Sequence, residues 1–496
     1  MFRKMEDPSE TQYVTYPRRW YILATVAVLN ISNAMAWINF AAITNFSAEY
    51  YSATTDQINW LSIVYLVVSI PIGFVSIWVM DNLGIRVTIL FGAWSNFIGI
   101  GIRCLSGIAG LSESARFPVV MVGQTIAALA QPFLLFVPTK LAALWFAENQ
   151  RAIANAIGSM SNPFGILLSF LLSALLVSEP NDIPFMLLIF LIPAFIGVSM
   201  ATFGVCDATP PTPPSASADE EGESFFKGFL ECIRTPSFIL LWVCFGGGYG
   251  IFNAISTFLE QIVCPLGYGD DFAGLIGALM LGCGLIGAFV AGLVVDKTHK
   301  FTPILKFNFV VAAIGVILLV IFSSYPDHGG GLGTGAILFG MFGLALFPIA
   351  LELGVECTYP VKEGTSSGLL QISGQLQGII LILIAQAASK SVPLEDAPDI
   401  QKCIEVPEGP GATFPPDELH VIQDMKVPLY IMGGYTIFGC IILVLFFNTK
   451  YKRLEAEGYT GAKKENEGFY NKAMEANDKE ASTELAKPNT NPSTVL

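Results

Sequence analysis

Apolar runs of about 20 residues, each long enough to cross a bilayer as a helix, recur along the chain with short polar breaks between them. They predict twelve membrane-spanning helices near 20–46, 58–80, 86–107, 117–145, 151–177, 183–206, 236–262, 271–295, 302–323, 333–357, 363–389 and 427–447. One long polar gap, 207–235, contains Pro-Pro-Thr-Pro-Pro and Asp219-Glu220-Glu221 and reads as a flexible linker. It divides the spans six and six. The expected layout is an N-tail over 1–19, a six-helix half over 20–206, the linker, a second half over 236–449 and a charged, disordered tail over 450–496.

Within the first span, Asn30, Asn33 and Trp37 are spaced i, i+3, i+7 and share one helical face. Amides in hydrocarbon need partners, so this face points either to neighbouring helices or to a polar, aromatic-lined cavity. Two further stripes carry the same signal: Gln124 and Gln131 in span four, Gln371 and Gln375 in span eleven.

Lys and Arg in short loops orient the chain. Arg18, Arg19, Arg86, Lys140, Arg151, Lys227, Arg234, Lys297, Lys300 and Lys362 fall on one side, and Arg103 and Arg116 on the other. Both termini and the linker are therefore expected in the cytoplasm, and the loop 390–426 outside. Arg103 either meets an anionic cargo or snorkels to the outer interface.

Only 13% of the 496 residues are charged, and 53% are hydrophobic. Soluble domains carry about twice that charged share, so composition agrees with a chain living in the lipid bilayer. A net charge of -14 gives no footprint for nucleic acid. The nine cysteines show no C-x-x-C or zinc spacing, and no His lies within a span. No metal, cofactor or catalytic cluster is expected, and a membrane enzyme is the remotest reading. Cys264 and Cys403 both fall near the outer face, where a disulfide between them would tether the Pro-rich outer loop. The terminal Thr494-Val495-Leu496 has the form of a ligand for a PDZ-domain protein.

The halves echo each other. Asp81-Asn82-Leu83-Gly84-Ile85-Arg86 follows span two, and Gly292-Leu293-Val294-Val295-Asp296-Lys297 closes span eight. A carboxylate and a base at a helix end make a breakable clamp, which nominates Asp81, Arg86, Asp296 and Lys297 as gating residues.

These motifs resemble the major facilitator superfamily, as does Gly158-Ser159-Met160-Ser161-Asn162-Pro163-Phe164-Gly165 in span five. Glu356-Cys357-Thr358-Tyr359-Pro360 is similar to the superfamily's gate segment, and the resemblance implies gating roles for Glu356 and Arg151 as well. Tyr16-Pro17-Arg18-Arg19-Trp20, Asn59-Trp60-Leu61-Ser62, Ala130-Gln131-Pro132 and Glu363-Gly364-Thr365-Ser366-Ser367-Gly368 narrow the likeness. Together they resemble the FLVCR-related transporters, solute carrier family 49, and most closely its third branch. The resemblance implies an all-α membrane protein of the major facilitator fold, working by alternating access as a monomer on a small-molecule substrate. In the family, haem, choline and ethanolamine are proposed cargo. Its choline cage uses a tryptophan, two glutamines and a tyrosine, which fall on Trp37, Gln131, Gln375 and, in place of the tyrosine, Asn253. An amide there favours a donor-bearing amine over a methylated one, unless Tyr249, one turn earlier, supplies the ring. Carboxylates such as Glu260, Glu352 and Glu356 sit toward span ends, which points to uncoupled, facilitated transport across a plasma or endolysosomal membrane. The alternative is a non-transporting receptor that senses through the same pocket.

Overall fold

The computed structural model describes residues 14–108, 110–212, 225–298, 300–325, 327–392 and 422–456. Twelve helices are long and apolar enough to cross a membrane: α1 Arg18–Ile38, α2 Thr55–Asn82, α3 Ile85–Leu105, α4 Glu113–Trp145, α5 Ile153–Leu176, α6 Pro180–Gly204, α7 Pro236–Thr257, α8 Asp271–Val295, α9 Phe301–Phe322, α10 Gly329–Thr358, α11 Glu363–Ala388 and α12 Lys426–Phe446. Helices dominate because a backbone in hydrocarbon must satisfy its own hydrogen bonds. Local signals set the ends. Thr54 starts α2 with a capping box, accepting from the Gln57 amide while the Gln57 side chain accepts from Thr54 N–H.

Packing repeats when six is added to every helix number. Helix α1 packs on α5 and α6 as α7 packs on α11 and α12, and α4 packs on α2 and α3 as α10 packs on α8 and α9. The halves meet along α2 with α11 and, equivalently, α5 with α8. Those two seams flank the centre of the bundle.

Three local features depart from the sequence reading. The last part of the expected flexible linker is a helix, Phe225–Arg234, whose Gly228 packs against Val361. The outer loop after α11 begins and ends in a small antiparallel pair, β1 Lys390–Val392 with β2 Ile422–Asp424. Helix α4 is interrupted at Phe136. There Pro138 cannot donate to the Leu134 carbonyl, and the Asn30 side chain does so instead at 3.0 Å.

In the second of two units, 450–496, the described residues 450–456 include a short helix, Lys452–Ala456. Cys403 and the terminal Thr494-Val495-Leu496 lie outside the described residues.

Candidate functional site

The polar stripe of α1 is consumed by packing. Asn33 donates to Asn96 Oδ1 at 2.9 Å and to the Ala127 carbonyl at 3.0 Å, so it joins α1 to α3 and α4. Gln124 donates to the Ala36 and Leu61 carbonyls. Asn33 is a strut between helices, which removes it from the expected pocket. Trp37 is buried, and its indole N–H donates to the Ser62 carbonyl of α2 at 3.1 Å. Gln131 accepts from Ser69 Oγ at 2.6 Å. Arg103 does not snorkel. It is fully buried in α3, donating to the Ala36 carbonyl and Asn39 Oδ1, with its guanidinium 5.1 Å from the Phe40 ring centre.

Three amide side chains on α7 and α11 are buried with atoms that lack such partners. Both amide atoms of Asn253, both of Gln371 and Oε1 of Gln375 make no hydrogen bond among the described residues. Leaving a buried polar group unmade costs roughly 1–3 kcal/mol, so these atoms are primed for an arriving donor or acceptor. The two helices run side by side because glycines let them touch. A side chain at Gly374 would overlap the Tyr249 ring, and one at Gly378 would come within 3.1 Å of Asn253 Nδ2. Gln375 reaches Tyr249 Oη at 3.5 Å.

Tyr249 also belongs to an aromatic group. Its ring stacks with Phe245 and Phe252 at 6.1 and 6.5 Å, and meets Phe347 of α10 edge-on at 5.5 Å. These rings face a cavity of about 70 Å³ between α5, α7, α9, α10 and α12. Of the six sequence-nominated binding residues only Tyr249 lines it; Asn162 of α5 lines it as well. Trp37, Gln131, Asn253 and Gln375 are buried and do not line it. Asn162 was legible only as part of the glycine-proline motif, whose apparent role was helix packing.

Both ends of the seam between the halves are bridged. On the linker side, Asp81 at the end of α2 pairs with Lys140 of α4 at 2.5 Å and accepts from Thr365 of α11 at 2.9 Å. Asn155 of α5 donates to Glu352 of α10 at 2.9 Å. On the far side, Asn45 donates to Glu260 at 2.9 Å, and Gln261 to Asn59 at 3.0 Å. The base expected beside Asp81 was Arg86, which is exposed; Lys140 takes that place, because α4 packs along α2. Arg151 and Glu356 are buried, and Lys297 is exposed. Asp296 falls in the helix Asp270–Thr298 with its side chain outside the described residues.

Cys264, in the turn after α7, is disulfide-bonded, whereas the other seven described cysteines are free thiols. No group of three His, Cys, Asp or Glu that could hold a metal ion occurs among the described residues.

A model of the Major Facilitator Superfamily matches residues 25–382. The chain is 41% identical over 463 residues to solute carrier family 49 member A3 of Xenopus tropicalis, covering 92% of each. It is 38% identical to the protein of that name in Danio rerio, covering 92% of this chain and 93% of the relative. The choline/ethanolamine transporter FLVCR1 of Felis catus is 30% identical over 383 residues, or 74% of this chain and 67% of that one. Among solved structures, a D-xylose-proton symporter superposes with a TM-score of 0.63 over 88% of this chain and 99% of its own, at 12% identity. That likeness speaks for the fold alone.

Proposed function

The chain belongs to the major facilitator superfamily and, within it, to solute carrier family 49, and from that premise we propose that it carries a small amine-bearing or organic-cation metabolite by uncoupled alternating access. It is a multi-pass integral membrane transporter; substrate and mechanism are the proposed part. The observation that carries the substrate reading is the set of unpartnered amide atoms, both of Asn253, both of Gln371 and Oε1 of Gln375, with the aromatic group around Tyr249. Amide oxygens accept from an ammonium or hydroxyl, and the rings attract the cation's charge, worth about 2 kcal/mol once desolvated. The cat relative's name, choline/ethanolamine transporter, belongs to the same chemical class.

Gating follows the two bridged ends. Rocking of the halves about α2–α11 and α5–α8 breaks the Asp81–Thr365 and Asn155–Glu352 contacts on one face, or the Asn45–Glu260 and Asn59–Gln261 contacts on the other. Each bridged carboxylate then has a gating role, which favours facilitated transport over proton coupling. We place both termini in the cytoplasm and the chain in the plasma or endolysosomal membrane, working as a monomer.

Uptake of radiolabelled ethanolamine and choline into proteoliposomes tests the reading. Ethanolamine is expected to enter faster than choline, and Gln375→Ala to reduce both. Asn253→Tyr restores the ring that the family cage has and is expected to raise choline affinity several-fold, about 1 kcal/mol. Uptake no faster than in empty liposomes would remove the carrier reading, and saturable binding without flux would replace it with a receptor.

The same topology pairs Cys264 with Cys403 outside the cell. A membrane-impermeant maleimide on intact cells is expected to leave Cys264 unlabelled without reductant and to label it in Cys403→Ser. Labelling of Cys264 in the unreduced wild type would refute the pair.

A further inference from the structure

The glycines of the second half are of two kinds. At most of them another helix touches the backbone: a side chain at Gly287 of α8 would overlap the Met341 carbonyl, and one at Gly340 of α10 the Met280 carbonyl. Gly248 of α7 and Gly343 of α10 differ. A Cβ there would meet ring carbons of Phe309 and Phe339 at 3.7 and 3.6 Å, which is ordinary contact. Helix packing does not require glycine at either place. Both residues line this cavity, so their missing side chains keep it open.

The cavity has a polar end and an apolar body. The polar end is Tyr249, in contact with Gln375, together with Asn162 of the opposite half. Asn162 is 6% exposed. The body runs beneath α9 and α12, walled by Phe309, Phe339, Leu305 and Leu443. Among the described residues no Asp, Glu, Lys, Arg or His lines it. The unfilled space is narrow, threaded between helices. A headgroup as small as ethanolamine occupies only the polar end.

We propose that this slot binds the hydrocarbon chain of a single-chain amphiphile, whose hydroxyl- or amine-bearing head sits at Asn162 and Tyr249. This deepens the carrier reading and rests on it for the aromatic group around Tyr249, to which it adds Asn162 as a polar contact of the head. An uncharged chain suits a wall without ionisable groups, and each methylene buried there from water raises affinity about fourfold. Because a bilayer offers a chain the same gain, occupancy has to be read by position and saturation rather than by chain length alone.

The experiment uses the full chain in lipid nanodiscs and N-dodecylethanolamine with a terminal photoactivatable diazirine. Irradiation is expected to label α9, α10 or α12 at slot-lining positions, and a tenfold excess of unlabelled N-dodecylethanolamine to remove most of that signal. Gly343→Leu and, separately, Gly248→Leu fill the slot and are expected to cut saturable labelling at least fivefold. Two variants from different helices guard against one that misfolds, with monodisperse elution and an unchanged melting temperature as the criterion. Labelling confined to lipid-facing residues such as Phe289 and Phe438, or saturable labelling untouched in both well-folded variants, overturns the tail site. Ethanolamine uptake by the wild type is measured in parallel. If labelling overturns the slot while uptake persists, the carrier reading survives alone; saturable slot labelling without ethanolamine uptake upholds the tail site and removes the small-amine reading.

Discussion

Replacing Asp81 with asparagine is expected to destabilise the protein by roughly 3–5 kcal/mol and to loosen the linker side, because it strands a buried lysine. The Asp81 side chain is 1% exposed and that of Lys140 13%, so water screens the pair weakly. Lys140 keeps its bond to the Met80 carbonyl at 2.8 Å, but a carbonyl does not neutralise an ammonium. Asparagine still accepts from Thr365, so the loss isolates the charge. Thr365→Ala isolates the other half of the arrangement. It removes one bond between the halves, about 1 kcal/mol, and is expected to favour opening on the linker side about fivefold with little change in melting temperature. The double variant Asp81→Asn/Lys140→Met is expected to recover most of the lost stability, since it removes both charges. Melting in detergent reads the first effect, and reactivity of a cysteine placed at the linker-side seam reads the second. A double variant no more stable than Asp81→Asn would show that the charge pair is not what holds this end.

Gly340→Ala is expected to cost on the order of 3 kcal/mol, while Gly343→Ala, one turn later on α10, costs nothing or stabilises slightly. At Gly340 the new methyl would overlap the Met280 backbone, where two helices are already in contact, and neither can yield without shifting α8 against α10. At Gly343 the methyl makes only ordinary contact with Phe339 and Ala312, and alanine's helix propensity gains up to about 1 kcal/mol over glycine. The comparison is made on one helix, in one detergent, by melting temperature and yield of monodisperse protein. Equal losses at the two positions would mean that helix flexibility, not helix contact, explains the glycines.

Much of the architecture was legible in the residues. Lipid requires long apolar helices with internally satisfied backbones, so counting apolar runs located all twelve spans. The matching places of Asp81 and Asp296 after spans two and eight announced the doubled half before any contact was visible. Helical spacing also put Asn30, Asn33 and Trp37 on an inward face.

Sequence alone determined which face each polar residue takes, because 3.6 residues per turn fixes direction about a helix axis. Only the tertiary structure decided what each face meets, because that depends on the rotation and register of a neighbour far away in the chain. Asn30 fills the carbonyl that Pro138 leaves open on α4, and Asn33 ties α1 to α3. Asn253 and Gln371, no different in chemistry, are left with unpartnered amides because glycines bring α7 and α11 into contact there. Lys140 rather than Arg86 answers Asp81, since α4 lies along α2 while Arg86 points to solvent or lipid. The slot under α9 and α12 needed five helices in place before it existed at all. A cavity is what side chains fail to fill, and no local pattern along one chain records that failure.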